Sequence, residues 1–75
     1  MRNRYENRLF ILRKKQQKSQ SEVIKAVNIT QKTLYNYERG FSPIPSDKLI
    51  EFAKFYGCST DYILCFNDEE QSKNE

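Results

Sequence analysis

"SQSEVIKAVNITQKTLYNYERG", Ser19 to Gly40, is the stretch whose reading decides the fold. Ser19 followed three places later by Glu22 has the form of a capping box opening an apolar run. Val23, Val27 and Ile24 then line one face of a helix of roughly eight residues. It stops at Asn28, one of the few non-glycine residues that tolerate a left-handed C-terminal cap. Ile29 is apolar and plugs inward, and Thr30 caps a second helix running from Gln31 to about Arg39. In that helix Leu34 and Tyr37 face inward, three apart, and Gly40 ends it. Two helices joined by roughly three residues cannot lie parallel, so the second projects from the first as a helix-turn-helix over about residues 19–40.

The flanks continue the helical pattern. Asn3 with Glu6 reads as a capping pair, and Tyr5, Leu9 and Leu12 follow at helical spacing in a first helix reaching about Gln17. Its other face carries Arg8, Lys14 and Lys15. Phe10 and Ile11 widen the apolar face beyond the needs of a surface helix. Completion of the core is the first expectation for them and for Phe55, with an exposed dimerisation patch as the alternative. After the helix-turn-helix, the two prolines of "FSPIPSDK" forbid helix between them. Ser46 is the expected cap of a fourth helix with a buried stripe of Leu49, Ile50, Phe52, Ala53 and Tyr56, ended by Gly57. Ser59 or Thr60 caps a short fifth helix carrying Tyr62, Ile63 and Leu64. "NDEEQSKNE", residues 67–75, has no apolar content and reads as a disordered acidic tail. No strand pattern appears. The expectation is an all-α domain over residues 1–66, a compact bundle of five short helices.

Seventy-five residues suit one domain with a small core. The net charge of +3 hides an asymmetry. Residues 1–39 hold ten Lys and Arg against Glu6, Glu22 and Glu38, while residues 40–75 hold three Lys against seven acids. A basic front half suits a polyanion, and an unevenly charged solvated surface accounts for it equally well. Cys58 and Cys65 sit seven apart in a chain without histidine, a spacing that matches no zinc motif, so no metal and no cofactor is expected. Both read as reduced thiols of a cytoplasmic protein, Cys58 as a small core residue. No apolar run approaches the roughly 20 residues of a membrane span, and no signal peptide precedes the first basic helix. Without His, a Gly-rich phosphate loop, paired carboxylates or a Cys with a basic partner, no catalytic residues are assigned and an enzyme is not expected.

The exposed face of the third helix carries Gln31, Lys32, Thr33, Tyr35 and Asn36. Gln and Asn bond bidentately to adenine, Lys donates to guanine, and Thr or Tyr touches a thymine methyl. Taken singly, each is better explained as an ordinary solvated side chain. Tyr5, Phe41, Phe55 and Phe66 are too scattered for a single-strand stacking platform, and core or interface roles suit them better. Arg2 and Arg4 read either as a flexible arm reaching DNA or as a solvated terminus.

Together these pieces resemble the lambda-repressor-like helix-turn-helix family, the XRE-like regulators of bacteria and phages. The resemblance runs from about Arg8 to Leu64. It rests on "SQSEV", "NITQKTLYNYERG", the Pro-containing loop, "KLIEFAKFYGCS" and "TDYIL", the Tyr-Glu-Arg-Gly ending of the third helix being the most telling. It implies a five-helix bundle that binds double-stranded DNA through the third helix, usually as a homodimer on an inverted-repeat operator. By matched position Gln31, Lys32, Thr33 and Asn36 face the groove with Tyr35 beside them. Gln20 at the start of the second helix, and Ser42, Ser46 and Lys48 beyond the third, match phosphate-contacting positions. Arg13 and Glu38 match a buried ion pair. The chain departs from the family at Ile24, where Ala is usual, at Asn28, where Gly is usual, and at Lys18, where Leu is usual. The function implied is a sequence-specific transcriptional regulator, bacterial or phage-encoded, repressing by occupying a promoter. The alternative is an antitoxin or antirepressor-type adaptor that binds a protein partner, with the acidic tail as the feature to watch.

Overall fold

The computed structural model describes residues 5–66. The expected cap at Asn3, the arm of Arg2 and Arg4 and the acidic tail at 67–75 lie outside them. Five helices follow one another: α1 (Leu9–Lys15), α2 (Gln20–Val27), α3 (Gln31–Glu38), α4 (Ser46–Tyr56) and α5 (Thr60–Ile63). Among the described residues every regular element is a helix, and none is long and apolar enough to cross a membrane. α2 packs on α3 and α4, α1 on α3 and α4, and α5 on α4. Leu9, Leu12, Val23, Val27, Leu34, Phe52 and Ile63 are fully buried where they meet. Tyr37, Ala53, Tyr56 and Cys58 complete the core, with Ile24, Ile29, Leu49 and Phe55 half-buried against it.

Helices this short do not hold together alone, so their ends matter. The Ser19 hydroxyl accepts from the Glu22 N–H at 3.1 Å, and the Ser19 N–H donates to Glu22 Oε1 at 2.8 Å, a complete capping box. That backbone donor holds the Glu22 pKa below its ordinary value of 4.5. A depressed carboxylate contributes stability above its unfolded pKa and loses it as pH falls through the folded one, so this cap weakens only in acid below about pH 4.5. Thr30 and Ser59 cap α3 and α5 through the N–H groups of Thr33 and Tyr62.

One expected helix start and one expected cap fall elsewhere. α1 starts at Leu9, not near Asn3, because the Arg8 N–H is drawn to the Ile63 carbonyl at 2.8 Å and the Asn7 side chain receives the Leu9 N–H at 2.9 Å. Ser46 is the first residue of α4 rather than its cap; Pro45 takes the cap position, and no side chain caps the end. Phe10 and Ile11 do not complete the core. They stand 46% and 57% exposed, with the Arg13 and Lys14 cations 5.5 and 5.7 Å from the Phe10 ring centre. Ile50 also leaves the buried stripe of α4 for solvent.

The C-terminal ends share one device. After each helix one residue takes the left-handed conformation: Gln17 (φ 57°), Asn28 (φ 61°), Gly40 (φ 74°), Gly57 (φ 72°) and Cys65 (φ 67°). The next N–H then reaches back five residues, as Lys18 does to the Arg13 carbonyl at 3.0 Å and Phe41 to Asn36 at 2.9 Å. Only two of the five are glycine. Asn28 is of a type that tolerates the conformation, whereas Gln17 and Cys65 carry a side chain where it is strained, at roughly 1–2 kcal/mol each.

Gln17→Gly is therefore expected to stabilise the fold by about 1 kcal/mol. Gly57→Ala should destabilise it similarly through φ alone, since nothing lies within 4 Å of the added methyl. Urea unfolding reads both, and an unchanged midpoint for Gln17→Gly would refute the strain argument. The Tyr56 hydroxyl offers a second test. It is buried without a hydrogen-bond partner among the described residues, and burial, then the charge of Glu38, raises its pKa above the ordinary 10. Tyr56→Phe removes an unsatisfied group, so a gain of about 1 kcal/mol is expected in the same assay; a loss would mean the hydroxyl is satisfied after all.

Candidate nucleic-acid interface

The site is built on α3, a helix held at both ends and from beneath. Its Leu34 and Tyr37 are buried, and the Tyr37 ring meets Phe52 of α4 edge-on at 6.1 Å. At its C-terminal end, Glu38 receives Arg13 of α1 bidentately, Nε to Oε2 at 2.7 Å and Nη2 to Oε1 at 3.1 Å. The two side chains are only 9% and 4% exposed. The hydrogen bond to Glu38 raises the Arg13 pKa beyond its usual value, with burial opposing, so the guanidinium stays charged. Nη1 of Arg13 also lies 3.4 Å from the Lys18 carbonyl, joining the end of α1 to the same knot. Asn7 Nδ2 donates to the Tyr37 carbonyl at 2.8 Å, a second tie from the start of α1.

Over the turn, Asn28 bends the chain, Ile29 packs on the core and Thr30 starts α3. Ile24, half-buried, is accommodated against the core. From the other side Lys48 of α4 reaches under the turn. Its Nζ donates to the Val27 carbonyl at 2.9 Å and lies 3.5 Å from that of Asn28, with Glu51 at 3.7 Å. These are the unpaired carbonyls of a helix end, where a cation is favoured. Lys48 thus sits as a cap on α2 and a strut between α4 and the turn.

The outward face divides in two. At its N-terminal half Gln31 Nε2 donates to Gln20 Oε1 at 3.0 Å, linking the first residues of α3 and α2. This leaves the Gln31 carbonyl oxygen and the Gln20 amide nitrogen outside that bond, as acceptor and donor. The Thr30 hydroxyl donates to that of Thr33 at 2.8 Å, leaving Thr33 its own proton to give. Lys32 is exposed beside them. At the C-terminal half Tyr35 is exposed and Asn36 half-buried. Ser42 and Ser46 lie in the following loop and at the start of α4, half-buried and exposed. Gln20 and Gln31 are thus brought together, and Thr33 is held by Thr30, whereas Lys48 is drawn onto the underside of the turn.

Sequence reasoning missed the company of Tyr35. Arg39 and Phe41 both touch its ring. The i, i+4 spacing of Tyr35 and Arg39, and the turn at Gly40 that returns the chain, were the available signals. Phe41 and Phe66 are exposed, not buried, while Tyr5 and Phe55 are half-buried. Among the described residues no three His, Cys, Asp or Glu side chains converge as metal ligands would.

A turn of three residues between two capped helices, with a polar outer face and a buried pair behind it, describes a known architecture. The profile of the helix-turn-helix family matches residues 9–63. The chain belongs to the XRE-type helix-turn-helix family. Over 68 residues it is 38% identical to the HTH-type transcriptional regulator ImmR of Bacillus subtilis (strain 168), a match covering 91% of this chain and 53% of that protein. The chain thus spans about half the length of that relative. No solved structure gives a match. Within that frame, Gln31, Lys32, Thr33, Tyr35 and Asn36 lie on the second helix of the helix-turn-helix.

Because the Arg13–Glu38 pair is desolvated, removing one partner strands the other. Arg13→Met should destabilise the chain by roughly 3–5 kcal/mol, and the double variant Arg13→Met/Glu38→Met by less than that. Urea unfolding of the set decides it: a single variant within about 0.5 kcal/mol of the parent would show the pair to be dispensable.

Proposed function

We propose that this chain is a sequence-specific, double-stranded DNA-binding transcriptional regulator that places α3 in the major groove. The observation that carries the reading is the polar face Gln31–Asn36 on a helix whose base is fixed by a buried ion pair. A recognition element must present its donors and acceptors at fixed spacing, and ordering them in advance lowers the cost of binding. Membership of the XRE-type family and the likeness to a transcriptional regulator support it further.

In this reading Gln31, Lys32, Thr33, Tyr35 and Asn36 read base edges. Gln20 turns its free amide N–H to a phosphate at the start of α2, where unpaired backbone N–H groups also favour an anion. Ser42 and Ser46 do the same from the loop. Lys48 acts first as a strut and adds positive potential to the phosphate side. The chain binds as a homodimer, since one α3 covers only a half-site and a second copy about 10 base pairs away multiplies affinity and selectivity. Occupying a promoter in this way represses it. The site of action is the cytoplasm, where the DNA is.

Selection from a random duplex pool at two salt concentrations tests this. An inverted repeat with half-sites about 10 base pairs apart is expected to be enriched. Asn36→Ala should then relax preference at particular bases by roughly 1–3 kcal/mol while leaving the rest of the site unchanged. Weak binding with no enriched sequence, vanishing as salt rises, would mark purely electrostatic contact. That outcome would remove this proposal in favour of a protein partner, for which the acidic residues of 67–75 are the place to look.

A further inference from the structure

The C-terminal half of the α3 face holds a cluster that core packing does not require. Tyr35 and Phe41 are 46% and 55% exposed, yet their rings meet edge-on with centroids 6.1 Å apart at 65°. The guanidinium carbon of Arg39, one helical turn beyond Tyr35, lies 5.5 Å from the Tyr35 ring centre and 6.0 Å from that of Phe41. Phe41 reaches this place because Gly40 turns left-handed and the Phe41 N–H returns to the Asn36 carbonyl at 2.9 Å. The bond therefore fixes Phe41 to the backbone of another residue on the outward face.

A lone tyrosine on an exposed helix face moves among rotamers, and binding must then order it. Here a ring and a cation, themselves 6.0 Å apart, pack together against it and restrict it, so its remaining apolar surface is presented at a set place. Base edges in the major groove offer hydrogen-bonding groups and one apolar feature, the C5-methyl of thymine. We infer that Arg39 and Phe41 are positioning residues that hold the Tyr35 ring as a reader of a thymine methyl, at the part of the half-site facing the C-terminal turn of α3. The inference rests on the proposed DNA-binding function and deepens it. The cluster is continuous with that face through Tyr35 and Asn36, and its cation suits the same polyanion.

The test uses the full chain and the duplex it enriches, with deoxyuridine replacing each thymidine in turn. At one position per half-site, loss of the methyl should weaken wild-type binding about fourfold, the worth of one buried methyl group. Tyr35→Ala should abolish that penalty, Phe41→Ala should remove most of it, and Phe41→Tyr should restore it. The double variant Tyr35→Ala/Phe41→Ala should bind no worse than Tyr35→Ala. Phe41→Leu serves the same comparison should Phe41→Ala lower the thermal midpoint. A uracil penalty that survives Tyr35→Ala, or uniform weakening by both Phe41 variants with the penalty intact, overturns the inference while leaving the regulator reading standing. A pool that yields no preferred duplex overturns both.

Discussion

The buried pair of Arg13 and Glu38 is the constraint on which the rest of the molecule turns. It joins the last turn of α1 to the last turn of α3 through two hydrogen bonds, in a place where both charges have left water. Such a pair is a poor source of net stability, because desolvation of the two ions offsets most of their attraction. Its geometry is what it contributes. A guanidinium fork meets a carboxylate in one plane only, so α1 and α3 are set in both distance and rotation. An apolar contact of the same area would allow sliding. The third arm of Arg13 towards the Lys18 carbonyl carries that constraint to the chain entering α2, so three helices share one knot.

Around the knot, the chain forms a fold from pieces too short to be stable separately. The helices run from four to eleven residues, and backbone hydrogen bonds alone would not hold them. Each must therefore begin and end where a neighbour needs it. The left-handed residue after every helix achieves this by reversing the chain within two residues and satisfying the orphan carbonyls on the way. Lys48 does for the end of α2 what backbone geometry does not, and ties α4 to the turn in the same act.

What was legible in the sequence was what is decided locally. Ser19 with Glu22, Thr30, Asn28, Gly40 and Gly57 each act on residues within five places of themselves, and each ended or began a helix where chain chemistry put it. Where the start of a helix depends on a distant group, local reading erred. α1 opens at Leu9 because the carbonyls of Tyr37, Tyr62 and Ile63 hold Asn7 and Arg8 from 30 to more than 50 residues away. Ser46 has the chemistry of a cap, but the chain's extended path through Pro45 puts it one place inside α4. Phe10 and Ile11 look like core by hydropathy alone. Leu9 and Leu12 already fill the space that α1 covers, which turns their neighbours outward. At the site, residue types marked the polar face of α3, but hydropathy could not pair Gln20 with Gln31 or place Lys48 beneath the turn, since both depend on how α2, α3 and α4 cross.

The two halves of that face solve the same physical problem by different means. A protein surface that recognises a pattern must keep its side chains still, yet surface side chains gain entropy by moving. At the N-terminal half, amide pairs with amide and hydroxyl with hydroxyl, so Gln20 and Gln31 restrain each other, as do Thr30 and Thr33. At the C-terminal half the restraint on Tyr35 comes from a ring edge and a cation. Both depend on the αL residues nearby: Asn28 brings the start of α3 beside that of α2, and Gly40 brings Phe41 back to Tyr35. A change at either turn would leave the helix folded and its outward residues present. It would remove the order among them, and in the proposed DNA-reading role a face without order is only a polar helix.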